Sequence, residues 1–162
     1  LCVRLFKILR LENKLIRPIF NITNFKSMTP RKYRAVMLID DNEIDNLINQ
    51  KMIEAAAITE NIYTHTGAKS AIEFLKNMEK MDVADKVLPD VIFLDIDMPL
   101  MDGFQFLDEF ENLLPITRKK SRIVMLTSSI NPQDFNRAKK YDNVKLYLNK
   151  PLSHENIMKI DV

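Results

Sequence analysis

The stretch "VIFLDIDMPLMDG", residues 91–103, decides how this chain is read. An apolar run ends in Asp95, a second acid follows at Asp97, and a third, Asp102, precedes Gly103. The run shows no polar alternation, which is the pattern of a strand covered on both faces. A carboxylate at the end of such a strand is costly to bury without a partner. The acids therefore need water or something positive, and the rest of the chain must supply it.

Working outward, "YRAVMLIDD" predicts a buried strand at 35–39 that ends in Asp40 and Asp41. "NIYTHTG" reads as a short strand closed by Gly67, "SRIVMLTSS" as a strand at 123–126 ending in Thr127 and Ser128, and "VKLYLNKP" as a fifth ending in Lys150. Helical spacing fills the gaps. Ile44, Leu47, Ile48, Met52 and Ala55 mark the first helix, Ala71, Ile72, Leu75 and Met78 the second, and "GFQFLDEFENLL" the third. Asn131 and Pro132 suit the cap and first position of a fourth helix, with Asp134 three residues past the cap. Ser153 caps a short fifth helix. The result is an α/β fold, (βα)5, with a doubly wound, five-stranded parallel sheet. In open sheets of this kind ligands bind beyond the carboxyl ends of the strands.

Every predicted strand except the second delivers a phosphate- or metal-binding residue to that edge. Three acids near one point repel each other, and a hard cation removes the conflict. Asp40, Asp41 and Asp95 suit Mg2+, with Mn2+ as the alternative, and a backbone carbonyl from the Asp97 segment offers another oxygen. Asp95, ending the middle strand, is the best nucleophile, since aspartate is a covalent phosphoryl acceptor. Charge on the phosphoryl oxygens then needs Lys150 and the Thr127 hydroxyl. Each piece alone has an ordinary explanation: a helix cap for Asp40-Asp41, a turn for Asp102-Gly103, a chain stop for Lys150-Pro151. Their convergence does not.

On these residues the chain resembles the receiver domain of two-component response regulators, of the single-domain, chemotaxis-regulator-like kind. The resemblance covers about residues 33–162. It rests on the acidic pair after the first strand, "DIDMPLMDG" from Asp95, Thr127 after the fourth strand, Lys150-Pro151 after the fifth, and Tyr147 three residues before the lysine. It implies strand order 2-1-3-4-5 (flavodoxin-like) and phosphorylation of Asp95 from a phosphohistidine on a sensor histidine kinase or histidine phosphotransfer protein. Asp95, Thr127 and Lys150 would be catalytic, and the domain would catalyse its own phosphorylation and slow hydrolysis. Asp41 would ligate the metal directly, with Asp40 supporting through water. The Lys150-Pro151 bond would be cis. Thr127 and Tyr147 would form a switch that repacks the face of helix four, strand five and helix five toward a downstream target. Asp97 and Ser129, two residues past the acceptor and two past the threonine, would set phosphoryl lifetime.

Two rival readings share these residues. One is a receiver-like interaction module that is never phosphorylated. The other is a haloacid-dehalogenase-type phosphohydrolase, with Asp95 as nucleophile and Asp97 as general acid. The second fits poorly, because Pro99 stands where that family wants Thr or Val, and its acidic metal pair comes late in the chain.

Bulk properties bound the rest. The chain has 162 residues, 46% hydrophobic, enough for one domain with a real core. A single cysteine, Cys2, forms no internal disulfide, and no apolar run reaches the roughly 20 residues a membrane span needs. A cytoplasmic location is expected. Residues 1–34 hold nine basic residues against one acid, Glu12, whereas residues 35–162 hold 15 basic against 21 acidic. A mildly acidic body gives no support to direct nucleic-acid binding. The division expected is a basic, partly amphipathic extension at 1–32 and the receiver-like domain at 33–162. The extension suits surface association with an anionic bilayer, a partner, or the tail of something upstream. His65 and His154 read as structural or solvated.

Overall fold

A computed structural model of the protein describes residues 31–82, 87–128 and 131–161. The extension before residue 31 and Ser129 lie outside the described residues. The described residues form five strands: β1 (Val36–Ile39), β2 (Ile62–His65), β3 (Val91–Asp95), β4 (Arg122–Thr127) and β5 (Val144–Asn149). They form one sheet in the order β2-β1-β3-β4-β5, with every pairing parallel. The helices are α1 (Glu43–Ala56), α2 (Ala68–Glu79), α3 (Gly103–Phe110), α4 (Pro115–Lys120), α5 (Pro132–Ala138) and α6 (His154–Lys159). This is the doubly wound α/β arrangement expected from the alternation of strand and helix patterns.

Two apolar clusters flank the sheet. Met37, Ile39, Ile92, Leu94, Ile123 and Met125 pack against α2 and α3, where Leu75, Phe106 and Phe110 are fully buried. Val36, Leu38, Val91, Phe93, Val124 and Leu126 pack against Ile53 of α1 and Ile157 of α6. Successive strand residues point to opposite faces, so β1 and β3 each feed both clusters. That is why their sequences do not alternate. Each fully buried Leu, Ile or Phe contributes about 1.5–3 kcal/mol of hydrophobic stabilisation.

Two local outcomes differ from the sequence reading. The third helix stops at Phe110, and α4 starts after a turn, with Pro115 at its first position. Glu79, at the end of α2, fixes this second start: its Oε1 accepts from the Leu114 N–H at 2.8 Å and from the Thr117 hydroxyl at 2.6 Å. The second difference is the orientation of α1. Ile44, Leu47 and Ile48 face solvent, at 67%, 56% and 45% exposure, while Asn46, Asn49 and Ile53 face inward. The expected apolar face of this helix is its outer face. Asn46 explains the rotation, because its Nδ2 donates to the Asp40 carbonyl at 2.8 Å and the His65 carbonyl at 3.1 Å. Those carbonyls end β1 and β2, and a buried carbonyl without a donor is costly.

Candidate phosphoryl and metal site

Strand register builds the site. Val36 to Ile39 pair in step with Val91 to Leu94, so the next residues on β1 and β3, Asp40 and Asp95, leave the sheet side by side. β3 pairs with β4 to Asp95–Leu126, and β4 with β5 to Thr127–Asn149. Thr127 and Lys150 therefore emerge at the same edge, tied by the Lys150 N–H donating to the Thr127 carbonyl at 2.8 Å. The Lys150–Pro151 peptide bond is cis.

Carboxylate oxygens of Asp40, Asp41 and Asp95 lie within 4.8 Å of one another. Asp40 and Asp95 are buried and Asp41 is exposed. Lys150 meets the buried pair, its Nζ lying 2.6 Å from Asp40 Oδ2 and 2.9 Å from Asp95 Oδ1. It also lies 3.3 Å from Asp45 Oδ2. The second Asp40 oxygen accepts from the Asn42 N–H at 3.0 Å. Burial pushes the Asp95 carboxyl above its ordinary range, and the Asp40 charge adds to this while Lys150 opposes it. Burial would lower the Lys150 ammonium's pKa, but its bonds to Asp40 and Asp95 win and raise it. Lys150 is thus held as a cation against carboxylates crowded by their neighbours. A third oxygen-donating acid beside the pair, with solvent access at Asp41, is a donor set that suits a hard divalent cation.

The other predicted residues fall around this centre. Thr127 is buried at the end of β4. Tyr147 on β5 packs edge-on against Phe135 with ring centroids 5.7 Å apart. Its hydroxyl is buried and senses Thr127 on one side and the charges of Asp134 and Asp97 on the other; burial is the larger effect and raises its pKa. Asp97 is exposed and stands outside the three-acid group. Asp102 caps α3 in a capping box with Gln105, whose N–H it accepts at 2.7 Å. Gly103 has a steric reason: a Cβ there would lie 2.5 Å from the Asp95 carbonyl oxygen. A pocket of about 230 Å³, lined by Asp45, Ile48, Asn49, Ser128, Lys150 and Pro151, opens beside Lys150. A larger hollow of about 500 Å³, lined by Arg118, Arg122 and Lys145 among others, lies where β4 and β5 begin and contains none of these residues.

A family model for the response regulator receiver domain matches residues 36–160. The chain belongs to this family. Its receiver domain is 30% identical over 132 residues to the sensor histidine kinase CheAY of Helicobacter pylori, covering 82% of this chain and 15% of that protein. Among solved structures it is similar to a two-component response regulator from Cytophaga hutchinsonii, at 32% identity and TM-score 0.71, covering 79% of this chain and 93% of that one. The Mn(2+)-bound form of response regulator Rcp1 shares the fold at 23% identity and TM-score 0.61, covering 78% of this chain and 87% of that one. The chain spans less than two thirds of the length of several curated relatives it matches. As a receiver domain of two-component signalling it is a phosphoacceptor module. Among the described residues no helix is long and apolar enough to cross a membrane.

Two residues of this region, Asn46 and Asp45, are not singled out by the sequence pattern. Only the folded arrangement brings the strand-end carbonyls and Lys150 to them.

Proposed function

We propose that Asp95 of this receiver domain takes a phosphoryl group from a phosphohistidine on a sensor histidine kinase or histidine phosphotransfer protein. The observation that carries the reading is the Lys150 ammonium lying within 3 Å of both Asp40 and Asp95, beside a third carboxylate at the open edge. An Asp95 oxygen attacks phosphorus, the P–N bond of the donor breaks, and its electron pair returns to the imidazole, which takes a proton from solvent. Lys150 moves from Asp95 to an oxygen of the arriving phosphoryl group, as a mobile ammonium can. The Thr127 hydroxyl donates to a second oxygen. Asp41, Asp95 and the Asp97 backbone carbonyl are the ligands we assign to Mg2+ (or Mn2+), with Asp40 supporting through water. When bound, such a cation would neutralise charge on the phosphoryl oxygens. Water attack on phosphorus later frees inorganic phosphate and restores the Asp95 carboxylate.

The proposed output is a shift in the face formed by α5, β5 and α6, read by a downstream target protein. Thr127 moving toward phosphate removes the neighbour that the Tyr147 hydroxyl now senses. The Tyr147 hydroxyl is buried, and the switch we propose is a shift in the population of ring positions. Asp97 sits beside this path with its charge exposed, which supports a role in phosphoryl lifetime. Ser129 is assigned the same role from its place in the sequence. A cytoplasmic setting follows from a phosphohistidine donor.

Incubation with Mg2+ and acetyl phosphate, followed by intact mass, tests the reading. One phosphoryl adduct is expected on the wild type and none on Asp95→Asn. A wild type that stays unmodified would favour an interaction module that needs no phosphate.

A further inference from the structure

Lys150 has three N–H bonds and three carboxylate neighbours. Two, Asp40 and Asp95, belong to the proposed metal and phosphoryl site, and the third is Asp45, 3.3 Å away on α1. Asp45 occupies the third position of that helix, where an acid ordinarily turns back to the N-cap backbone N–H to complete a capping box. Here that N–H, of Asn42, is already bonded to Asp40. The Asn42 side chain meanwhile caps the helix through the N–H groups of Ile44 and Asp45. Asp45 is thus released from local duty and reaches a lysine 105 residues away. It and Lys150 both line the same pocket.

Resting on the function proposed above, we infer that Asp45 is a positioning residue for Lys150. The Lys150 ammonium is shared among three acids. A divalent cation held by the acidic triad would leave Asp40 and Asp95 with less charge to offer the lysine. Asp45 is the carboxylate outside the triad that still holds it, in the wall of the pocket that Lys150 also lines. The ammonium is thereby kept where a phosphoryl oxygen arrives, and does not swing into solvent. The Asp45 side chain is 35% exposed, and solvent weakens such a pair, so the expected effect is moderate.

The test compares Asp45→Ala, Asp45→Asn and Asp45→Glu in the full chain, by the rate of phosphorylation from acetyl phosphate at saturating Mg2+. Asp45→Ala should be about fivefold slower, the equivalent of about 1 kcal/mol. Asp45→Asn keeps an acceptor oxygen and should retain most of the rate, and Asp45→Glu should recover part of it. If Asp45 acted through charge alone, Ala and Asn would both speed reaction with this anionic donor, and equally; that result, or no change in any variant, overturns the inference. A second readout needs no reaction. The two Lys150 Hε resonances should be distinct in the wild type, with or without Mg2+, and merge in Asp45→Ala when Mg2+ is present. Unchanged resonances would also overturn it. Failure of the wild type to accept phosphate would defeat the underlying reading instead, and the resonance comparison would still decide whether Asp45 holds the lysine.

Discussion

The helices α1 and α2 flank neighbouring strands and look alike in sequence, yet they face the sheet by opposite rules. In α2, Ala71, Ile72, Leu75 and Met78 are buried, as a stripe at helical spacing should be. In α1 the equivalent stripe of Ile44, Leu47 and Ile48 points outward and two asparagines point in. The difference lies in what each helix covers. α2 lies over apolar side chains of β1 and β3. The first two turns of α1 lie over the ends of β1 and β2, where carbonyls and carboxylates need donors. Satisfying those groups outweighs burying two or three aliphatic side chains, each of which stabilises by at most about 3 kcal/mol. The helix that serves the site is oriented by polar groups, and the helix that serves the core by apolar ones.

Five substitutions can break or sharpen this contrast. The largest expected effect is Leu75→Ala on α2, which empties a fully buried site and should cost about 2–5 kcal/mol in denaturant unfolding. Asn46→Leu on α1 should cost about 1–3 kcal/mol despite its greater hydrophobicity, because the Asp40 and His65 carbonyls lose their side-chain donor. A stabilised Asn46→Leu would mean that α1 obeys the same rule as α2. The charged end of the sheet makes a smaller prediction. The Asp95 carboxyl titrates above its unfolded value, so its ionised form opposes folding at neutral pH, and this penalty fades as pH falls through the raised pKa. Metal-free Asp95→Asn should therefore melt slightly above the wild type at pH 7, and the gap should close in acid. The smallest effect belongs to Ile44→Ser and Leu47→Ser, each expected within about 0.5 kcal/mol of the wild type. A loss several times larger at either position would place the outer face of α1 inside.

How much of this was legible in the sequence follows the same division. The strands that build the sheet's centre announced themselves, because burial on both faces leaves no room for alternation in "VMLI" or "VIFL". The site's residues were legible too, since each stands at or one step past the end of its strand: Asp95 and Thr127 at the ends of β3 and β4, Asp40 and Lys150 one step past β1 and β5. The orientation of α1 was not, because the partners of Asn46 exist only once β1 and β2 lie side by side. The break between α3 and α4 had one local sign, Pro115. What fixes it, Glu79, acts from 35 residues before Leu114. Asp45 was hidden in the same way by distance along the chain. Leu100 adds a case with no sequence signal at all: it is fully exposed with φ of 68°, in the left-handed region where glycine is usual.

The central claim is that one carboxylate, Asp95, becomes the acyl phosphate. The most direct measurement is borohydride reduction of protein treated with acetyl phosphate and Mg2+, which converts a phosphorylated aspartate to homoserine, followed by peptide mass mapping. The account predicts homoserine at position 95 and aspartate retained at 40, 41, 45 and 97. Homoserine at any of those four positions, or at none of the five while phosphate has been consumed, would contradict it.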